Sequence, residues 1–150
     1  MKPEYYNYLS RREKLPDDPE KGIIFALIDD GKILLERRLD GVAESIIMVP
    51  GGRRKVDETK DFALIGELLE ECGIFPTRYE FLGDIIDINI PDNDIKELAV
   101  FLIQDFEGIL ENKENINIHI WIDLKQAAGV CNHEVSRQVL SMVRNTIFAE

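Results

Sequence analysis

The sequence predicts an α+β fold, a mixed β-sheet with flanking helices packed on it. Three observations lead there. Runs rich in β-branched and aromatic residues recur along the chain, separated by turn-rich pieces. Residues 60–72 and 133–148 instead carry apolar residues at helical spacing. The chain has 150 residues of ordinary apolar content, a length that suits one domain with a continuous core.

Residues 1–21 are polar and charged, and the break Pro16-Asp17-Asp18-Pro19 marks them as an N-terminal extension ahead of a domain at 22–150. Tyr5, Tyr6 and Tyr8 are expected to pack on the body or on a partner chain. From Gly22, residues 22–29 read as a strand, Asp29-Asp30-Gly31-Lys32 as a hairpin turn and residues 33–38 as the returning strand. Residues 46–49 form a short apolar strand that stops at Pro50-Gly51-Gly52, where a tight and unusual backbone path is expected. A helix follows over 60–72, with Thr59 as its N-cap, Asp61 in its first turn and Gly73 as its stop. Residues 81–90, 97–106 and 116–123 give three more strands. Asn132 is expected to cap the closing helix, in which Val135, Val139, Met142, Val143 and Ile147 recur at helical spacing.

The formal net charge of −11 opposes nonspecific binding to long nucleic acid and to anionic membranes. It does not oppose a small phosphate compound, because Arg53, Arg54 and Lys55 form a local basic cluster. Cys72 and Cys131 have neither metal-site spacing nor a disulfide framework. The N-terminus lacks the apolar core of a signal peptide and no stretch is long and apolar enough to span a bilayer, so a cytoplasmic location is expected.

The helix over 60–72 is the candidate for chemistry. At about 100° per residue, Glu67, Glu70 and Glu71 share one stripe, with Phe62, Ile65, Leu69 and Cys72 opposite. Like charges at these spacings repel by about 0.2–0.5 kcal/mol per pair, and the helix dipole disfavours anions in the last turns. A divalent cation removes both penalties, because hard ions such as Mg²⁺ take carboxylate oxygens and keep positions for water and phosphate.

Residues 52–74 resemble the Nudix box: Gly, five residues, Glu, seven residues, Arg-Glu, aliphatic, any, Glu-Glu, any, Gly, aliphatic. Here Gly52 is followed by Glu58 and then by Gly66-Glu67-Leu68-Leu69-Glu70-Glu71-Cys72-Gly73-Ile74. The order of strands and helices resembles the Nudix hydrolases over about residues 22–148, which implies a Nudix-like α/β/α sandwich. The resemblance implies Glu67, Glu70 and Glu71 as metal ligands for Mg²⁺ or Mn²⁺, with Glu67 also a candidate base. Gly51 and Gly52 would shape the loop and Glu58 would brace it. The activity implied is metal-dependent pyrophosphohydrolysis of a phosphoanhydride bond in a small nucleotide, a nucleoside-diphosphate derivative. A homodimer stays open as an assembly.

The box breaks at one position. Gly66 stands where the family has arginine, whose planar fork orients a catalytic carboxylate. A glycine inside a helix also costs about 1 kcal/mol against alanine, so local stability does not explain it. Either another cation, from among Arg53, Arg54 and Lys55, takes the role, or catalysis is impaired and the chain is a nucleotide-binding or regulatory module. If orientation limits the rate, Gly66→Arg should raise it. Arg37 and Arg38 end a strand beside the expected cleft, and with Arg53 and Arg54 they are candidates for phosphate contact. Glu114 is a candidate for a further metal ligand, ahead of Glu97 and the pair Asp92 and Asp94. His133 reads as a surface residue without chemistry and Trp121 as packing.

Overall fold

The computed structural model describes residues 2–38, 46–89, 94–113 and 117–149. The elements run α1 (Pro3–Glu13), β1 (Asp17–Asp29), β2 (Lys32–Arg37), β3 (Ile47–Met48), β4 (Gly51–Lys55), α2 (Lys60–Cys72), β5 (Phe75–Asn89), β6 (Asp94–Glu107), β7 (Ile118–Asp123), α3 (Ala127–Val130) and α4 (Glu134–Ile147). The sheet is mixed. Strand β1 runs parallel to β6 along Lys21 to Leu27, antiparallel to β4 and, at its end, antiparallel to β2. Strand β5 pairs antiparallel with β6, while β3 and β7 pair with β2.

Alternation along the central strands sorts their side chains onto two faces. Ile23, Phe25, Leu27, Ala99, Phe101 and Ile103 pack under α2 through its Ala63, Leu64, Leu68 and Cys72. Ile24, Ala26, Val100 and Leu102 pack under α4 through its Val135, Val139, Leu140 and Val143. The result is the expected helix, sheet, helix sandwich, with both cysteines buried and in no disulfide.

Helix α2 begins and ends as its sequence requires. Thr59 Oγ1 accepts the backbone N–H of Phe62 at 3.2 Å, and Gly73, at φ 69°, closes the helix with Ile74 N–H donating to the Leu68 carbonyl. Its core face differs from the expected one: Leu69 and Cys72 are buried, but Phe62 and Ile65 are only half-buried. The reason is a second neighbour. Helix α1 lies against α2, with Tyr8 packed on Phe62 at 4.9 Å between ring centroids and Tyr5 stacked on Phe75 at 4.8 Å. Tyr5 is buried and its hydroxyl donates to Glu107 at 2.6 Å, while Tyr6 is exposed. Pro3 in the first turn, with Glu4 there and Arg11 and Arg12 in the last, suits the dipole of α1.

Two other expectations change. The Pro50-Gly51-Gly52 stretch leads into strand β4, and neither glycine has positive φ. Asn132 does not cap α4; its Oδ1 accepts the Ile47 N–H at 2.9 Å, and the cap is His133, whose Nδ1 accepts the Ser136 N–H. Among the described residues no helix is long and apolar enough to cross a membrane.

Candidate functional site

The site is built where α2 lies alongside β4. Gly51 and Gly52 therefore stand in a strand rather than in a loop, and close approach explains their lack of side chains. A Cβ on Gly51 would overlap the Ile23 carbonyl of the paired strand. A Cβ on Gly52 would overlap the Glu67 carboxylate, lying 2.8 Å from its Oε1 and closer still to Oε2. The strand thus comes within contact of the first carboxylate of the stripe because position 52 has no side chain.

Arg12 of α1 reaches into this junction and is fully buried there. Its Nε donates to Glu58 Oε2 at 2.8 Å and its Nη2 to Glu67 Oε1 at 3.1 Å. Nη1 forms an ion pair with Glu70 Oε1 at 2.9 Å, and Nη2 also donates to the Arg53 carbonyl at 3.1 Å. Burial works against the guanidinium charge, but Glu67, Glu58 and Glu70 together outweigh it and hold its pKa above the usual value. Glu58, itself buried, accepts the Lys55 N–H at 2.9 Å as well, which closes the turn between β4 and α2.

Arg12 enters over Gly66. A Cβ at position 66 would lie 2.6 Å from Arg12 Nε and 2.8 Å from Nη1, and closer still to Cδ. The helix glycine is the opening through which the side chain passes. This corrects the expectation for the substitute cation, since Arg53, Arg54 and Lys55 are engaged elsewhere or turned away. Arg53 is exposed, Arg54 is buried with Nη2 on the Glu58 carbonyl at 2.7 Å, and Lys55 pairs with Asp17 at 2.8 Å. It also reverses the expectation for Gly66→Arg, because that side chain collides with Arg12 while Arg12 is present. Nothing in the box points to Arg12. The signal that does is the spacing of Tyr5, Tyr8 and Arg12, which places all three on one face of a helix.

A cleft of about 230 Å³ opens on the other side of β4, with Gly51, Gly52 and Arg53 in one wall. Glu36, Lys96 and His133 contribute elsewhere in its lining. Gly52 is the hinge between the two parts, facing the cleft and touching Glu67. Arg38 follows the end of β2 and its charge reaches His133; Arg37 is exposed at the end of β2. His133 is thus a half-buried cleft residue rather than a surface one, and burial first, then Arg38, lowers its pKa below 6.5 against the opposing pull of Asp87. Glu97 is half-buried on β6, while Glu114, Asp92 and the loop 40–45 lie outside the described residues.

The donor set suits a hard divalent ion. Glu67, Glu70 and Glu71 offer carboxylate oxygens from one helix, and its last turn contains no basic residue. Among the described residues no group of three such donors converges closely enough to hold an ion as placed, and two of these carboxylates are turned onto Arg12.

Solved structures share this fold. The MutT NUDIX hydrolase of Burkholderia pseudomallei superposes with a TM-score of 0.70 at 25% identity, covering 85% of this chain and 99% of that one. The chain has the Nudix hydrolase fold. The ORF135 protein of E. coli matches with a TM-score of 0.73 at 24% identity over 86% of this chain and 90% of that one. The NUDIX domain of Shewanella oneidensis NrtR, solved with ADP ribose, matches with a TM-score of 0.69 at 14% identity over 98% of this chain and 99% of that one. No protein-family profile and no curated protein sequence matches the chain. Against the Nudix box, the described site retains every defining residue except the arginine, and a guanidinium from α1 occupies its neighbourhood.

Proposed function

We propose that the protein is a metal-dependent Nudix pyrophosphohydrolase that cleaves a phosphoanhydride bond in a small nucleoside-diphosphate derivative. The observation that carries this is the junction at Gly52. A strand that walls a cleft of nucleotide-fragment size there touches Glu67, the first of three carboxylates on one helix face. Glu67, Glu70 and Glu71 would hold Mg²⁺ or Mn²⁺. When bound, the ion neutralises diphosphate charge and lowers the pKa of water.

The chain's own groups do the rest. Arg53 is exposed at the cleft wall and available to phosphate, and Arg38 is near enough for its charge to act on His133 of the cleft lining. Glu67 faces the strand that lines the cleft and is the group proposed to accept a proton from attacking water. Glu58 accepts from the Lys55 N–H at the end of β4 and from Arg12, which in turn holds Glu67 and Glu70 of α2, so the cleft wall and the carboxylates are joined through the guanidinium. The NrtR domain's complex with ADP ribose, and a similar structure described as an ADP compounds hydrolase, make ADP ribose the first compound to try. The case for a non-hydrolysing binding module rested on the loss of a guanidinium at Gly66, and Arg12 brings one to the same carboxylates.

The test is a panel of ADP ribose, nucleoside triphosphates, dinucleoside polyphosphates and nucleotide sugars, incubated with Mg²⁺ or Mn²⁺ and scored for phosphate, pyrophosphate and monophosphate. Turnover of at least one compound is expected. It should be lost in Glu67→Gln, Glu70→Gln and Glu71→Gln singly, with little further loss in combination, because groups around one metal cluster act as a unit. Turnover that survives the triple change, or none by folded wild-type protein, refutes the hydrolase; nucleotide binding without consumption then identifies a binding module.

A further inference from the structure

We propose that Arg12 is the positioning residue of this site, a guanidinium delivered by α1 across Gly66 to the place that the Nudix box gives to its own arginine. The proposal rests on the hydrolase reading above and deepens it by naming the group that orients Glu67 and Glu70. Arg12 holds Oε1 of each of these carboxylates, with Glu58 on its remaining edge. The Arg53 carbonyl on Nη2 ties the same guanidinium to the strand that walls the cleft. A planar fork with several donors can hold three carboxylates and a carbonyl in fixed relation, which a point charge cannot.

The match between the two positions is steric as well as electrostatic. Any side chain at 66 meets the Arg12 side chain from Cδ outward, so the two positions share one volume. A buried ion pair by itself is weak grounds for assigning a role, because such pairs often add little net stability. The distinguishing feature is that the donor comes from a different element while the acceptors are residues of the box.

The experiment compares wild type, Arg12→Ala, Gly66→Arg and the double variant Arg12→Ala/Gly66→Arg on the substrate found by the panel. Each single change should lower kcat by at least about tenfold with KM moved far less, since an orienting group acts on the chemical step. The double variant should exceed both singles, so that Gly66→Arg harms the enzyme when Arg12 is present and helps when it is absent. A double variant no better than Arg12→Ala overturns the proposal, because Arg12 would then only fasten α1. Should Arg12→Ala fail to fold, Arg12→Ala/Gly66→Arg is compared with Arg12→Ala/Gly66→Ala, and equal kcat overturns it.

A second measurement needs neither turnover nor metal. In protein labelled at the glutamate carboxyl carbons, the Glu67 and Glu70 carboxyl signals, recorded at one fixed pH, should move in Arg12→Ala and return toward their wild-type positions in the double variant. Absence of turnover by wild type defeats the hydrolase reading alone. Carboxyl signals that stay at their Arg12→Ala positions in the folded double variant defeat the proposal.

Discussion

Gly52→Ala separates the stability of this protein from its chemistry. Position 52 lies in a regular strand outside the left-handed region, so alanine meets no backbone strain there and should gain about 0.4–1 kcal/mol through the unfolded chain. Against that, the new Cβ falls 2.8 Å from Glu67 Oε1 and nearer to Oε2. Ordinary contact begins at about 3.5 Å, so the carboxylate must retreat by about an ångström. The obstacle is the far end of a flexible side chain, and Arg12 keeps Glu58 and Glu70 as partners when Glu67 moves. Opposing terms of similar size leave stability within about 1 kcal/mol, which is about 2–4 °C in Tm for a domain of this length. A displacement of about 1 Å in a reacting group costs about 10²-fold in rate. Thermal melting and steady-state kinetics on one preparation read both quantities. Wild-type kcat in a folded variant would mean that the position of Glu67 does not set the rate, and a fall of more than about 10 °C would mean that the backbone carries the clash.

Metal should stabilise the fold by about 2.7 kcal/mol at a hundred times its Kd, and equal Mn²⁺-induced rises in Tm for wild type and Glu70→Gln/Glu71→Gln would remove the site from the stripe. Tyr5→Phe should cost about 1 kcal/mol in chemical denaturation by removing the hydroxyl on Glu107, with the stack on Phe75 retained, and a loss of several kcal/mol would contradict that division. His119 and His133 both have pKa values lowered below 6.5, chiefly by burial, so the unfolded chain takes up protons first as pH falls. Their stabilising contribution is complete above pH 6.5 and is lost between 6.5 and the lower folded values. Melting temperatures of His133→Asn, which keeps a capping side chain, should fall less steeply over that interval than those of wild type; an equal slope would exclude His133 as a contributor.

The sandwich was legible because its central strands alternate strictly between two faces and its two long helices carry regular apolar spacing. Helix α2 was legible to its ends, since Thr59 and Gly73 are local signals that tertiary packing did not override. Strand β4 was not, because Gly51, Gly52, Arg53, Arg54 and Lys55 have little β-propensity and pair only where β1 offers an edge. The register that carries β5 back to Phe75 likewise depends on its partner β6. Helix α1 was hidden by its composition. Its inward face is two tyrosines and an arginine, and a stripe of that kind reads as solvated until the aromatic surface of Phe62 and Phe75 and the carboxylates beyond it are in place. The carboxylate stripe could be read from the box alone, whereas the guanidinium facing it depends on a contact between residues far apart in sequence, and no local spacing records that.

The shared volume at Gly66 makes positions 12 and 66 a single unit of variation. A descendant chain can place a side chain at 66 only by giving up the one at 12, and shortening residue 12 opens a void that residue 66 can fill. Related chains should therefore show the two substitutions together, large with small in either arrangement. A search keyed to arginine within the box passes over every chain that keeps its guanidinium on the neighbouring helix.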